Sequence, residues 1–181
     1  ALEPRVRLVQ QSNAGKAAAA NHGLAEAKGE IVVAVDADTL VPPASIPKLI
    51  RHFADPSVTA VCGNVEVGNV NGILTAFQAI EYVTSQNFDR RAFSALNCIS
   101  VVPGALGAWR RAAVLAAGGY SQDTLTEDAD LTLTILRNNG KVVYEADAAG
   151  RTEAPETLPA LLRQRFRWTY GTYQCLWKHS K

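Results

Sequence analysis

The chain has 181 residues, 48% of them apolar and 19% charged, which excludes a disordered segment and suffices for one domain with a sizeable core. Its net charge of +1 is too small to mark a nucleic-acid partner. No apolar run reaches the roughly 18–20 residues that cross a bilayer.

Three cysteines, Cys62, Cys98 and Cys175, are widely spaced and form neither a metal motif nor an evident disulfide framework, which favours a reducing compartment. No signal peptide is visible. The chain contains no Met, and Ala1-Leu2-Glu3-Pro4 runs straight into a strand pattern. The expectation is an excised piece of a larger protein, or a processed chain.

Arg5-Val6-Arg7-Leu8-Val9 alternates as a strand does. Asn13-Ala14-Gly15-Lys16 then leads into an Ala-rich helix to Lys28. A Gly and a Lys at a helix N-terminus suit an anion, although a plain strand-to-helix turn explains them as well. Gly29 ends that helix. Ile31-Val32-Val33-Ala34-Val35 is a continuous apolar run, read as a buried strand, and it stops at Asp36-Ala37-Asp38. Period-two alternation puts both carboxylates on one side, at the strand end where open α/β sheets place ligands. Two anions that close call for a positive neighbour, and a hard divalent cation is the simplest. A helix cap and a solvated carboxylate are the alternative.

Pro42-Pro43 starts a helix from Ala44 to about Ala54, with Ile46, Leu49, Ile50 and Phe53 on one face. Val58 to Cys62 is a strand, continued or bent at Gly63 through Val65 and Val67. Ile73 to about Leu96 is a long helical pattern whose inner face includes Leu74, Phe77, Ile80 and Tyr82. Gln78, Glu81, Gln86 and Asp89-Arg90-Arg91 mix site wall and solvated face, the charges being read as solvated. Ile99 to Val102 is a short strand closed by Pro103-Gly104, and Gly104 and Gly107 allow close backbone approach or serve a turn. Ala108-Trp109-Arg110 is extended, Arg111 to Ala117 a short helix, and Ser121 to Leu125 a loop.

Thr126-Glu127-Asp128 opens a helix with Thr126 as N-cap and acids suited to the helix dipole, in itself a full account of the cluster. Leu131, Leu133, Ile135 and Leu136 are its apolar positions. Lys141 to Glu145 is a strand, and Gly150 to Ala154 a possible second. The last helix runs from Leu158 to about Lys178. Gln164, Arg167 and Trp168 share one of its faces, suited to a phosphate on the Arg and a sugar ring on the Trp. The same helix also reads as amphipathic and interfacial, with Leu161, Leu162, Phe166, Tyr170, Tyr173 and Trp177 apolar.

Asp36-Ala37-Asp38, Thr126-Glu127-Asp128 and Gln164-Arg165-Phe166-Arg167-Trp168, in that order, resemble the D-x-D, T-E-D and Q-x-x-R-W series of processive family-two glycosyltransferases. Cellulose, chitin, hyaluronan and poly-N-acetylglucosamine synthases belong there, and the bacterial poly-N-acetylglucosamine synthase-like enzymes are most similar. Gly63-Asn64-Val65-Glu66-Val67, Gln78 with Glu81-Tyr82, and Val102-Pro103-Gly104-Ala105 also look like that family.

The resemblance implies an α/β fold: a glycosyltransferase-A-type mixed sheet flanked by helices, its N-terminal part truncated. Residues 1–70 would be the remaining nucleotide-binding part, 71–157 the acceptor part and 158–181 the amphipathic Q-x-x-R-W helix. It implies a divalent cation, magnesium or manganese, on Asp38 with Asp36 on the metal or the nucleotide ribose. It implies Asp128 as general base, Glu127 shaping the acceptor pocket, and Lys16, Gln164 and Arg167 on the donor nucleotide and its pyrophosphate. Gly104 would line the sugar pocket and Trp168 would stack the acceptor sugar.

The implied partners are a UDP-sugar, N-acetylglucosamine foremost, and a polysaccharide acceptor. Transfer to a lipid acceptor and a non-catalytic domain that retains the fold are the alternatives. The parent protein would sit at the cytoplasmic face of the plasma membrane through helices absent here, the fragment itself being soluble. The resemblance also implies an earlier strand–helix–strand part, expected to be missing before Arg5. The chain alone is therefore expected to bind UDP-sugar weakly, if at all, and its open sheet edge invites self-association. His22, His52 and His179 lie outside these motifs, and no Ser-His-Asp or Cys-His pattern competes.

Overall fold

In the computed structural model, which describes residues 6–180, Val58–Val67 forms a ten-residue strand (β2) inside the sheet. Ala60 and Cys62 enter one core cluster while Val61 and Val65 enter another. A strand buried on both faces needs apolar residues at successive positions, as Ala60, Val61 and Cys62 supply in its middle. β1 (Ile31–Ala34) and β3 (Gly107–Arg110) lie on one side of it, and β4 (Lys141–Thr152) on the other. The order is β1-β3-β2-β4. The first two pairings are antiparallel and β2–β4 is parallel, so the sheet is mixed.

The helices cover both faces of this sheet. The elements are α1 (Lys16–Glu26), α2 (Ser45–Ile50, continued as a 3-10 turn Arg51–Ala54), α3 (Ile73–Tyr82), a π-helical stretch (Val83–Phe88), α4 (Asp89–Ala95), α5 (Arg111–Ala116), α6 (Glu127–Arg137) and α7 (Leu158–His179). One core gathers Leu24, Val114, Leu131 and Ile135 around Trp109; the other gathers Leu49 and Phe53 around Leu106. Among the described residues no helix is long and apolar enough to cross a membrane. Cys62, Cys98 and Cys175 are free thiols.

Several local expectations are corrected. Arg5 lies outside the described residues, and residues 6–9 form no strand: Val6 and Leu8 are exposed and no described strand pairs with them. Ile99 to Val102 is extended but belongs to no sheet. Ile99 and Val102 are buried, and side chains take up the backbone groups: Val102 N–H donates to Thr132 Oγ1 at 2.9 Å, and Arg90 Nη1 donates to the Val101 carbonyl. The two expected strands at 141–154 are one, ending at Thr152. Its pairing with β2 shifts from Gly63↔Glu145 to Asn64↔Ala149, a bulge that keeps both halves in the sheet.

On α3 the inner face is Thr75, Gln78 and Tyr82, whereas Phe77 and Ile80 are exposed. Polar anchoring decides this orientation. Thr75 Oγ1 accepts from Asn71 and Gly72 N–H, and Gln78 Nε2 donates to the Pro155 carbonyl at 2.8 Å. On α2, Leu49 and Phe53 are buried but Ile46 and Ile50 face outward. Arg90, read as solvated, is only 5% exposed.

Candidate active site

β1 delivers Asp36 and Asp38 just past its last residue, Ala34. The segment is tied down by a bridge: Leu40 N–H donates to the Arg151 carbonyl at 2.8 Å, and Arg151 N–H returns the bond at 2.9 Å. Thr152 Oγ1, at the end of β4, donates to Asp38 Oδ1 at 3.3 Å. Asp38 is otherwise exposed.

Asp36 Oδ1 is paired with Lys16 Nζ at 2.6 Å, and the same ammonium lies 3.3 Å from Glu127 Oε1. Lys16 therefore joins the carboxylate pair after β1 to the acidic start of α6. Burial works against its charge, but the hydrogen bond and charge of Asp36, then Glu127 and Asp128, outweigh this and raise its pKa.

Asp128 is held by two backbone donors. Gly104 N–H reaches Oδ2 at 3.2 Å and Ala129 N–H reaches Oδ1 at 2.9 Å. Burial pushes its carboxyl up, and Glu127 beside it adds to the rise; Gly104 and Lys16 only partly oppose it. Tyr120, which shares these neighbours, is pushed up to about 12 chiefly by burial and then by Asp128, so its phenol stays protonated.

Thr126 does not cap α6 with its side chain. It is buried, and its Oγ1 lies 3.4 Å from Cys175 Sγ on α7. A Cβ at Gly171 would sit 2.6 Å from Thr126 Cγ2, so only glycine lets α7 approach this closely. That contact swings the middle of α7 over the site. Trp168 packs against the core cluster containing Tyr82, and Arg165 lies over its ring at 4.5 Å while pairing with Glu81 at 2.6 Å. Gln164 Oε1 is buried without a hydrogen-bond partner, and Arg167 stands exposed at the rim.

A cavity of about 370 Å³ results. Lys16, Asp36, Asp38, Gly104, Glu127, Asp128, Gln164, Arg167 and Trp168, the nine residues singled out from sequence, all line it. Motif reasoning did not single out Arg90, Ser100 or Cys175, which line it as well. For Arg90 and Cys175 no local pattern signals this, because each is brought in by packing between helices.

Among the described residues no three His, Cys, Asp or Glu side chains stand close enough to hold a metal on their own. Two carboxylates are nevertheless a fitting donor set for magnesium or manganese, which is usually held by one or two carboxylates with substrate phosphates completing the shell. Asp38, exposed and without an ion pair among the described residues, is the stronger donor of the two.

A mixed sheet that ends in paired carboxylates, an acidic helix start and a roofing helix thus enclose one cleft. Solved structures share that fold. A mannosyltransferase of Pyrobaculum calidifontis in complex with GDP-mannose and Mn2+ matches with a TM-score of 0.75 and 24% identity, over 93% of this chain and 44% of that one. Glucosyl-3-phosphoglycerate synthase of Mycobacterium tuberculosis, in complex with Mn2+, UDP and glucosyl-3-phosphoglycerate, matches with 0.57 and 20%, over 90% of this chain and 56% of that one.

The chain belongs to the family described as Glycosyltransferase like family 2, which it matches over residues 2–171. It is 32% identical over 167 residues to poly-beta-1,6-N-acetyl-D-glucosamine synthase of Staphylococcus aureus, covering 92% of this chain and 40% of that protein. The Staphylococcus epidermidis enzyme of the same name is 31% identical over 91% of this chain, and again 40% of the relative is covered. The chain thus spans about 40% of the length of these relatives.

Proposed function

We propose that this chain carries the sugar-transfer site of a polysaccharide synthase. Its donor is a UDP-sugar, N-acetylglucosamine by likeness to its relatives, and its acceptor is a hydroxyl at the end of a growing chain. The observation that carries this reading is Asp128. Its carboxyl is held by Gly104 N–H, raised by burial, and set in the same cavity as the Asp36–Asp38 pair.

The acceptor hydroxyl gives its proton to Asp128 as its oxygen bonds to the anomeric carbon. The bond from that carbon to the diphosphate breaks, and its electron pair leaves with UDP. Attack from the face opposite the leaving group inverts the configuration in one step. A divalent cation bound at Asp38 and Asp36 would neutralise charge on the departing diphosphate. Arg167 and Gln164 contact the diphosphate from α7, and Lys16 adds a cation near it. Glu127 holds Lys16 in place and shapes the acceptor side. Trp168 stacks the acceptor ring, which orients the hydroxyl towards Asp128.

The test is product analysis with the full-length protein in membranes supplied with UDP-N-acetylglucosamine. A polymer whose anomeric proton signals show a β linkage formed from the α donor is the expected product. An α-linked product, or none from an enzyme shown to be folded, would sink the proposal.

Gly104 offers a finer check. A Cβ there would run into the Lys16 ammonium and lie 3.1 Å from Asp36 Oδ1. Lys16 can swing aside, so Gly104→Ala should fold normally. Turnover at low UDP-sugar should fall about tenfold, comparable to loss of one charge-assisted hydrogen bond. Thermal denaturation beside kcat/KM for the donor measures both, and an unchanged kcat/KM would contradict the crowding.

A further inference from the structure

The helical stretch from α3 to α4 does more than cover the sheet. Tyr82, Gln86 and Arg90 recur at four-residue intervals along it, and all three line the cavity. Gln86 sits within the π-helical turn Val83–Phe88, a widened geometry found frequently at functional sites. Its side-chain oxygen is buried without a hydrogen-bond partner among the described residues. An unpaired buried polar atom is costly and persists where a ligand supplies the missing bond.

The surroundings indicate what that ligand offers. Trp168 packs against the cluster that contains Tyr82, and it lines the same cavity as Tyr82 and Gln86. The wall is firmly held. Buried Arg90, one turn beyond Gln86, donates from Nη1 to the Val101 carbonyl and lies 3.0 Å from Cys62 Sγ. A neutral amide that lines the same cavity as the Trp168 indole suits hydroxyl or acetamido groups of a sugar.

We propose that Gln86 is an acceptor-binding residue. Its side-chain amide hydrogen-bonds hydroxyl or acetamido groups of the saccharide that stacks on Trp168. This rests on the glycosyl-transfer reading of the cavity.

The experiment compares wild type, Gln86→Leu and Asp128→Asn in the full-length protein, with UDP-N-acetylglucosamine as donor and a short β-linked N-acetylglucosamine oligosaccharide as acceptor. Leu keeps most of the volume and removes the hydrogen bonds. The expected result for Gln86→Leu is an oligosaccharide KM raised about tenfold, as for one or two lost hydrogen bonds. The donor KM stays unchanged. An oligosaccharide KM within about twofold of wild type, or a donor KM that rises equally, overturns the assignment. If the Leu variant does not fold, Gln86→Asn carries the same criteria, because it draws the amide back by one methylene without removing its polarity. Lost transfer in Asp128→Asn with an unchanged oligosaccharide KM in Gln86→Leu overturns the Gln86 role alone. Undiminished transfer in Asp128→Asn overturns the reading beneath it.

Discussion

Asp128→Asn in the full-length protein will lower sugar transfer by about 10²–10⁴-fold, the range for loss of a positioned general base. The amide has the shape of the carboxylate, and its oxygen can still accept from Gly104 N–H at the position of Oδ2. Donor binding should therefore survive while the chemical step fails. Stability supplies a second signature. Burial raises the Asp128 pKa in the folded chain, so its contribution to stability is full at low pH and is lost as pH rises through that raised value. Near neutral pH the relief of the buried charge is offset in the Asn variant by its NH2 facing the Ala129 N–H that Oδ1 accepts, so its heat resistance should stay close to that of wild type. The rate profile follows from the same shift: transfer needs the carboxylate, so its acid limb should lie above the ordinary carboxylate range. An Asn variant that keeps a tenth or more of the wild-type rate, about a tenfold loss or less, would remove Asp128 from the base role.

Asp38→Ala will abolish the part of UDP binding that depends on manganese. The expected loss exceeds the roughly 10–100-fold that even outer-shell partners of a metal are worth. Calorimetry with UDP on the full-length protein, with manganese and then with a chelator, separates metal from fold. Without metal the variant should bind UDP no more weakly than wild type, because a carboxylate near a diphosphate is repulsive. Equal weakening under both conditions would point to a structural role through Thr152, whose hydroxyl donates to Asp38. Asp36→Ala should behave differently, because it also frees Lys16 from its 2.6 Å pair.

Much of the architecture could be read from short stretches. β2 and β3 show up as apolar or extended runs, α6 and α7 as periodic segments between clear stops, and each lies close to where it was expected. Such signals are local: a side chain's alternation or 3.6-residue spacing needs no knowledge of distant residues. The failures share the opposite property. Residues 6–9 alternate but have no described strand to pair with, and Ile99 to Val102 gives its backbone bonds to Arg90 and Thr132 instead of a strand. Phe77 and Ile80 face outward because Thr75 and Gln78 find polar partners inward.

The sequence by itself determined the residue types of the site and their order: two carboxylates ending an apolar strand, an acidic helix start, and an amide, a guanidinium and an indole on one helical face. Only the tertiary structure decided that these stretches meet. Lys16 spans Asp36 and Glu127, Gly171 admits α7 against Thr126, and the Thr126 hydroxyl meets the Cys175 thiol rather than the start of its own helix. It also buried Arg90 and left Gln86 facing the cavity. Chemistry resides in individual side chains and is written locally, whereas proximity comes from packing between segments distant in the chain, which no local pattern encodes. The carboxylate pair at the end of β1 thus became one end of a cleft only when α6 and α7 closed over it.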